Sequence, residues 1–382
     1  MSQRQPLRVV QLLHTMAHGG VETALLNWLV ALRRDEVDTR VVVFANPDGG
    51  ETAFIEAASR IGVDVIRIPW GRFKPVLSSA RHLAAYLRRE KIDIVHCHNT
   101  YANAVGLLAG RLAGCRTLAT YYVWGDFGFK RNVLQWFDRL LMHRFDQISA
   151  HCEQCYSDTL ALGADPSRLH LLICGYPARQ VHLDAAERAR GRAELGASEH
   201  DTVFIYMARF WPEKAHENLL DAFQRLLAAQ PRAKLWLPGV GPDRDAIQRL
   251  CAQMGLDPAV RFLGFHPDPD RLLALADIQV HPSDNEGVAL AICAGMAAAR
   301  PIIASRVGGL EEVLKDDRSA ILIPPRDPQR LADEMLGLIR DPERAARLGC
   351  EARRFILEDY SVEVAVNRLR DVYRRMINGR HA

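Results

Sequence analysis

The stretch DIQVHPSDNEGVALAICAGMAAARPIIAS (277–305) decides the reading of the fold. Its ends, DIQVHP (277–282) and PIIAS (301–305), are short apolar runs of strand length. Between them lie a polar turn with Ser283, Asp284, Asn285 and Glu286, then the apolar, small-residue helix LAICAGMAAA. Strand, turn, helix and strand make the unit that joins parallel strands. It places Glu286, beside Gly287, at the carboxyl end of a strand and before a helix, the side where open α/β sheets hold ligands. An exposed carboxylate there can bind sugar hydroxyls. It can equally do no more than complement the helix dipole, worth tenths of a kcal/mol to about 1.

The same alternation runs outward through the chain. In the first half the expected strands are RVVQLL (8–13), RVVVFA (40–45), VDVIRI (63–68), IDIVHC (92–97), RTLATY (116–121) and QISA (147–150). Helical patterns such as VETALLNWLVALRR (21–34) separate them, with Leu25, Trp28, Leu29 and Leu32 on one face. The pattern restarts with TVFIYMAR (202–209), AKLWLP (233–238), VRFLGF (260–265), DIQVHP, PIIAS and AILI (320–323). Strands rich in Val and Ile and apolar throughout suit parallel sheets covered on both faces. The expectation is two facing doubly wound, Rossmann-like α/β domains: 1–177, 178–360, and a last helix in 361–382 returning to the first. A cleft between facing domains is the default ligand site.

Bulk properties narrow the class. A chain of 382 residues fits two domains. Its net charge of +3 is too small to suggest nucleic acid. Residues 1–177 carry 20 Lys and Arg against 16 Asp and Glu, the remainder 29 against 30, so the first half suits an anionic surface or substrate without requiring one. No apolar run reaches the ~18 residues of a membrane span, and RVVQLLHTM is too short an apolar core for a signal peptide. The eight cysteines form no regular framework and read as reduced thiols of a cytoplasmic protein. His151, Cys152 and Cys155 offer a C-x-x-C, but no second ligand pair follows at a zinc-like spacing, and a buried helical turn is the stronger reading.

Three further motifs sit at strand ends. AHGGVET (17–23) follows the first strand and opens the first helix. Gly19 and Gly20 would let a ligand approach the backbone and helix amides, or merely make a tight turn. It is not a full G-x-G-x-x-G, so a nicotinamide enzyme is the least supported class. ARFWPEKAHENLL (208–220) puts Arg209 and Lys214 after the first strand of the second domain, where two cations could neutralise a diphosphate or belong to a solvated loop. RVGGLEEVL (306–314) carries another glycine pair, with Glu312 on the next helix.

In this order, these motifs resemble the retaining glycosyltransferases of GT-B architecture, in particular glycosyltransferase family 4. The resemblance covers nearly the whole chain, through HGGVE, DIVHCH (93–98), ARFWPEK, LPGVGP (237–242), FLGF (262–265), PSDNEG and ARPIIASRVGGLEEV (299–313). It implies that Arg209 and Lys214 hold the donor diphosphate, that no metal or cofactor is needed beyond the nucleoside diphosphate sugar, and that Gly19 and Gly20 lie where donor phosphate and acceptor meet. Glu286 would contact the donor sugar. Gly264, Phe265, Gly287, Val288, Ala289 and Leu290 would line the substrate site.

The chain departs from the family in three places, one of which, Cys174 in ICGYP where an Asn before Gly is common, concerns only a turn. The family pairs two glutamates with seven residues between them, the second reading the ribose; here that position is Ala294. A hydrogen bond to a carboxylate is worth roughly 1.5–3 kcal/mol, so its loss would weaken donor binding about 10- to 100-fold. The family histidine after the fifth strand is replaced by Tyr122, with Tyr121 the alternative; a phenol cannot serve as a base near neutral pH. The implied reaction moves a sugar from a UDP- or GDP-sugar to an acceptor hydroxyl with retention, in surface polysaccharide or glycolipid assembly. A nucleotide-sugar-binding pseudoenzyme is the alternative, and an epimerase or hydrolase on the same architecture is a third. Basic, aromatic stretches at 125–145 (Phe127, Phe129, Trp136 and Phe137 with Lys130, Arg131, Arg139 and Arg144) and 71–91 can rest peripherally on an anionic bilayer or simply pack on a core.

Overall fold

The computed structural model describes residues 6–15, 20–32, 37–71, 73–122, 124, 129–177, 179 and 181–378, leaving aside the side chains of 129–131. The chain divides into two compact units, residues 1–175 with 362–382, and residues 176–361.

The first unit is built on seven strands: β1 (Leu7–Leu13), β2 (Val37–Ala45), β3 (Val65–Pro69), β4 (Ile94–His98), β5 (Arg116–Tyr121), β6 (Gln147–Ala150) and β7 (Leu169–Leu171). They pair in parallel in the order β3-β2-β1-β4-β5-β6-β7. The order reverses between β1 and β4, so the crevice at a sheet's carboxyl edge opens beyond Leu13 and His98. The helix Val362–Asn378 belongs to this unit: its buried Tyr373 accepts from Gln11 Nε2 at 2.8 Å.

The second unit has six strands: β8 (Thr202–Ile205), β9 (Ala233–Pro238), β10 (Val260–Gly264), β11 (Ile278–His281), β12 (Ile302–Ser305) and β13 (Ile321–Ile323). All pair in parallel, in the order β10-β9-β8-β11-β12-β13. Strand residues alternate between two buried clusters: Phe204, Leu235, Ile278 and Val280 on one face, Val203, Ile205 and Trp236 on the other. Helices cover both clusters, among them His216–Ala229, which follows β8, and Leu290–Ala297, between β11 and β12. The reversal here lies between β8 and β11. The loops after these two strands carry Lys214 and Glu286, which therefore meet at the switch point although they are 72 residues apart.

β8 stops at Ile205, short of the expected Arg209. Beyond it the chain still bonds to the β9 edge, Tyr206 N–H to Trp236 O and Ala208 N–H to Pro238 O, but no longer pairs with β11.

Candidate active site

Glu286 is the centre of a buried polar cluster in the second unit. Its Oε1 accepts from Lys214 Nζ at 2.7 Å, His281 Nε2 at 2.8 Å and Ser283 Oγ at 2.9 Å. Its side chain is 9% exposed, so the expectation of an exposed carboxylate is corrected. A charge that deep persists only when paired and hydrogen-bonded, and the three donors meet that demand. Burial pushes the carboxyl pKa up, but the bond and charge of His281, with the charge and bond of Lys214, bring it down to about 2. The carboxylate is therefore ionised at any physiological pH. Oε1 is filled, while no described side chain bonds Oε2.

The frame around Glu286 explains its placement. Lys214 closes the short 3-10 turn Pro212–Lys214, started by a proline and ended by Ala215 in the left-handed region at φ 48°. Tyr206 Oη reaches both Lys214 O at 2.9 Å and Ser283 Oγ at 2.8 Å, tying the β8 and β11 loops together. From the other side Gly309 N–H donates to Glu286 O at 3.1 Å. A Cβ on Gly308 would sit 2.1 Å from Glu286 O, and one on Gly309 2.8 Å from Gly287 C. The second glycine pair is thus required by backbone-on-backbone packing under the Glu286 loop.

Arg209 lies on the same β8 loop but not in this cluster. It is exposed, its guanidinium stacks over Trp211 at 5.8 Å, and it has no hydrogen-bonded or ionic partner among the described residues. Its flanking backbone is pinned: Phe210 N–H donates to Val240 O at 3.0 Å, and Gly239 and Gly241 lack the Cβ atoms that would strike Ala208 O and Phe210 O. Gly264, at φ 67°, accepts at its carbonyl from Gly239 N–H at 2.7 Å, and the next residue, Phe265, is 73% exposed. Gly287 is exposed; Val288, Ala289 and Leu290 are half-buried and lead into the following helix. Ala294, on that helix, is 2% exposed within the apolar cluster that includes Ile292 and Met296.

In the first unit Gly20 opens the first helix, and a Cβ built on it would meet nothing within 4 Å. Gly19 lies outside the described residues. Tyr122 follows β5, and its hydroxyl is 2.8 Å from His98 Nδ1. That bond ends a buried chain in which His98 Nε2 meets Gln11 Oε1, and Tyr373 bonds both Gln11 and His96. Tyr121 is the last residue of β5, buried, and its hydroxyl finds no partner among the described residues, while Tyr122 follows at the strand's end. Cys152 caps the helix Glu153–Ala161 by accepting from Cys155 N at 3.4 Å, and both thiols are buried. The C-x-x-C is a helical turn, and the described residues hold no metal-binding cluster.

Three features escaped the sequence reading. His281 and Tyr206 are buried partners of the Glu286 loop. Gln279 and His281 alternate with Ile278 and Val280, a polar stripe in a buried strand that the sequence does display. The third is a ring cluster at the carboxyl edge of the first sheet. His14 lies 5.0 Å from Tyr101, 5.5 Å from Phe44 and 5.8 Å from Trp70, and Lys74 Nζ stands 4.0 Å above Tyr101. A separate cavity of about 320 Å³, lined by Arg111, Arg116 and Arg144, opens at the amino end of β5, away from the ligand edge.

Comparison with known proteins agrees with this frame. The family model described as Glycosyl transferases group 1 matches residues 187–355, and that described as Glycosyl transferase 4-like domain matches residues 19–175. The chain is similar to N-acetyl-alpha-D-glucosaminyl L-malate synthase of Bacillus anthracis, 26% identical over 305 residues, 78% of either chain. It is also similar to D-inositol 3-phosphate glycosyltransferase of Corynebacterium efficiens, 26% identical over 364 residues, 87% of this chain and 85% of that one. Its fold is similar to that of Anabaena HepE (Alr3699) solved in complex with UDP, with a TM-score of 0.84 at 20% identity, covering 97% of this chain and 100% of that one. HepE has also been solved with UDP-glucose.

Proposed function

This chain belongs to glycosyltransferase family 4 and has the GT-B fold, and from that premise we propose that it is a retaining, metal-independent transferase using a UDP- or GDP-sugar. The observation that carries the reading is the Glu286 carboxylate at the β8/β11 switch point, with one oxygen filled by Lys214, His281 and Ser283 and the other unbonded. Oε2 takes the donor sugar's hydroxyls. Arg209, whose guanidinium has no hydrogen-bonded or ionic partner among the described residues, and Lys214, which keeps two N–H groups beyond its bond to Glu286, face the diphosphate. Their charge stabilises the leaving group as its negative charge develops. A UDP-sugar is the first donor to try, since UDP is the nucleotide in the HepE complex.

In the transfer, the C1–O bond to the diphosphate breaks with its electron pair going to the β-phosphate oxygen. The acceptor oxygen bonds C1 on the same face, and its proton passes to the departing phosphate. Glu286 is a poor nucleophile for the alternative double displacement, because a carboxyl held near pKa 2 with three donors on one oxygen is weakly basic. Tyr122 lies at the edge of the first sheet, where its hydroxyl contacts substrate.

The acceptor is a saccharide or lipid-linked intermediate of surface polysaccharide or glycolipid assembly. The helix Phe129–Met142, with Trp136 and Phe137 about half exposed, gives peripheral contact with anionic lipid. No helix among the described residues is long and apolar enough to cross a membrane. A second reading, a small anionic acceptor, is favoured by Lys74 over Tyr101 and by the malate and inositol phosphate in the relatives' names. The test is incubation with UDP-, GDP- and ADP-sugars, with and without lipid extract, malate or inositol phosphate. Mass spectrometry reports nucleoside diphosphate release and NMR the anomeric configuration of the product. An inverted product would overturn retention. Donor affinity without turnover on any acceptor would favour the pseudoenzyme that Ala294 suggests.

A further inference from the structure

We propose that His281 is a positioning residue that holds the plane of the Glu286 carboxylate, so that one oxygen stays bonded within the loop and the other faces the donor sugar. The inference rests on the reading of Glu286 as the sugar contact. His281 ends β11 with its side chain 2% exposed. Its Nε2 is 2.8 Å from Glu286 Oε1, whereas its Nδ1 is buried with no hydrogen-bond partner among the described residues. Among the described residues, the one hydrogen bond of this buried ring is thus to the carboxylate. An ionised carboxylate only accepts, so the bond fixes a proton on Nε2.

The other two donors are adjustable. Lys214 reaches Oε1 along a flexible four-carbon stem, and the Ser283 hydroxyl rotates and also meets Tyr206. His281 is a rigid ring whose plane is fixed by Tyr206 packing edge-on, centroids 5.2 Å apart at 89°. The terminal torsion of a glutamate is broad, so a carboxylate without such a stop swings out of the plane that aims its free oxygen. The imidazole, approaching from the strand end, supplies the stop.

The test compares His281→Leu, His281→Gln and Glu286→Gln, singly and with His281→Leu combined with Glu286→Gln. Gln places an amide N–H near the position of Nε2. The probes are UDP-glucose and UDP-GlcNAc against UDP, and GDP-mannose against GDP, by calorimetry, with kcat and KM for whichever donor turns over. Expected for His281→Leu is about a 10- to 100-fold loss in kcat/KM and in the affinity gained from the sugar, with binding of the bare nucleotide changed less than about twofold. His281→Gln should recover most of the loss, and His281→Leu should add little in the Glu286→Gln background. An unchanged His281→Leu, an equal loss for UDP and UDP-glucose unrescued by Gln, or full additivity with Glu286→Gln would each overturn the inference. If Glu286→Gln itself behaves as the unmodified protein, the proposed role of Glu286 fails, and this inference falls with it. Impaired Glu286→Gln beside unimpaired His281→Leu removes the positioning role alone.

Discussion

Lys214 Nζ lies 2.7 Å from Glu286 Oε1, with the two side chains 13% and 9% exposed, at the point where the second unit's strand order reverses. The pair joins the loops after β8 and β11, and each charge makes the burial of the other tolerable.

Removing one member should therefore be costly. Lys214→Ala leaves a buried carboxylate with only His281 and Ser283, and we expect a loss of about 3–5 kcal/mol in urea unfolding. Nucleoside diphosphate affinity should fall at least about tenfold in calorimetry. A stable Lys214→Ala protein with undiminished affinity would separate Lys214 from the diphosphate.

Acid should destabilise the protein through its buried histidines before it touches Glu286. Burial brings His98 down to about 3; His216 falls to about 3 through burial and the charges of Lys214 and His281. Both stay neutral in the fold and protonate near 6.5 when unfolded, so the stability they hold above that pH is lost as pH falls from about 6.5 towards 3. Between pH 7.5 and 5.5 the two together should cost roughly 3 kcal/mol. The Glu286 contribution is lost only between about 4.5 and 2. Urea titrations at the two upper pH values check this, and His98→Gln should flatten the slope.

The two glycine pairs should respond differently. Gly308→Ala forces a Cβ to 2.1 Å from Glu286 O at φ 46°, and both Tm and turnover should fall. Gly20→Ala meets no described residue within 4 Å, so Tm should hold, and the proposed approach of substrate there predicts a drop in turnover. Thermal melts beside donor-turnover assays distinguish the two positions; unchanged turnover in Gly20→Ala would remove the first pair from the site.

Ala294→Glu places a carboxylate inside an apolar cluster, so Tm should fall, while a restored ribose contact should tighten donor binding by about tenfold or more. Melting and calorimetry on the same sample read both effects. A lower Tm without tighter binding would mean that this helix no longer serves the ribose.

The strand runs were legible because Val- and Ile-rich segments alternate with amphipathic helices: RTLATY and QISA became β5 and β6 with the expected bounds. β7, only Leu169–Leu171 with a histidine at its centre, offers too little pattern to read. In the Glu286 cluster, Lys214 and Glu286 stood out as charges at strand ends, and Gly308 and Gly309, read as a close approach or a turn, pack on its backbone. The burial of Glu286 was not legible, because it arises from Lys214 72 residues away and from Tyr206 bridging two loops. His281 was hidden for a related reason: a histidine in a strand looks like core until the carboxylate it faces is known.

The most direct test of the central claim is nucleoside diphosphate release from a UDP-, GDP- and ADP-sugar panel by the unmodified protein and by Glu286→Gln, followed by mass spectrometry with lipid extract present. The account predicts that one donor is cleaved and that Glu286→Gln cleaves it at least about 100-fold more slowly, since a neutral amide replaces the carboxylate proposed to bind the sugar. Equal cleavage by the two proteins would contradict it.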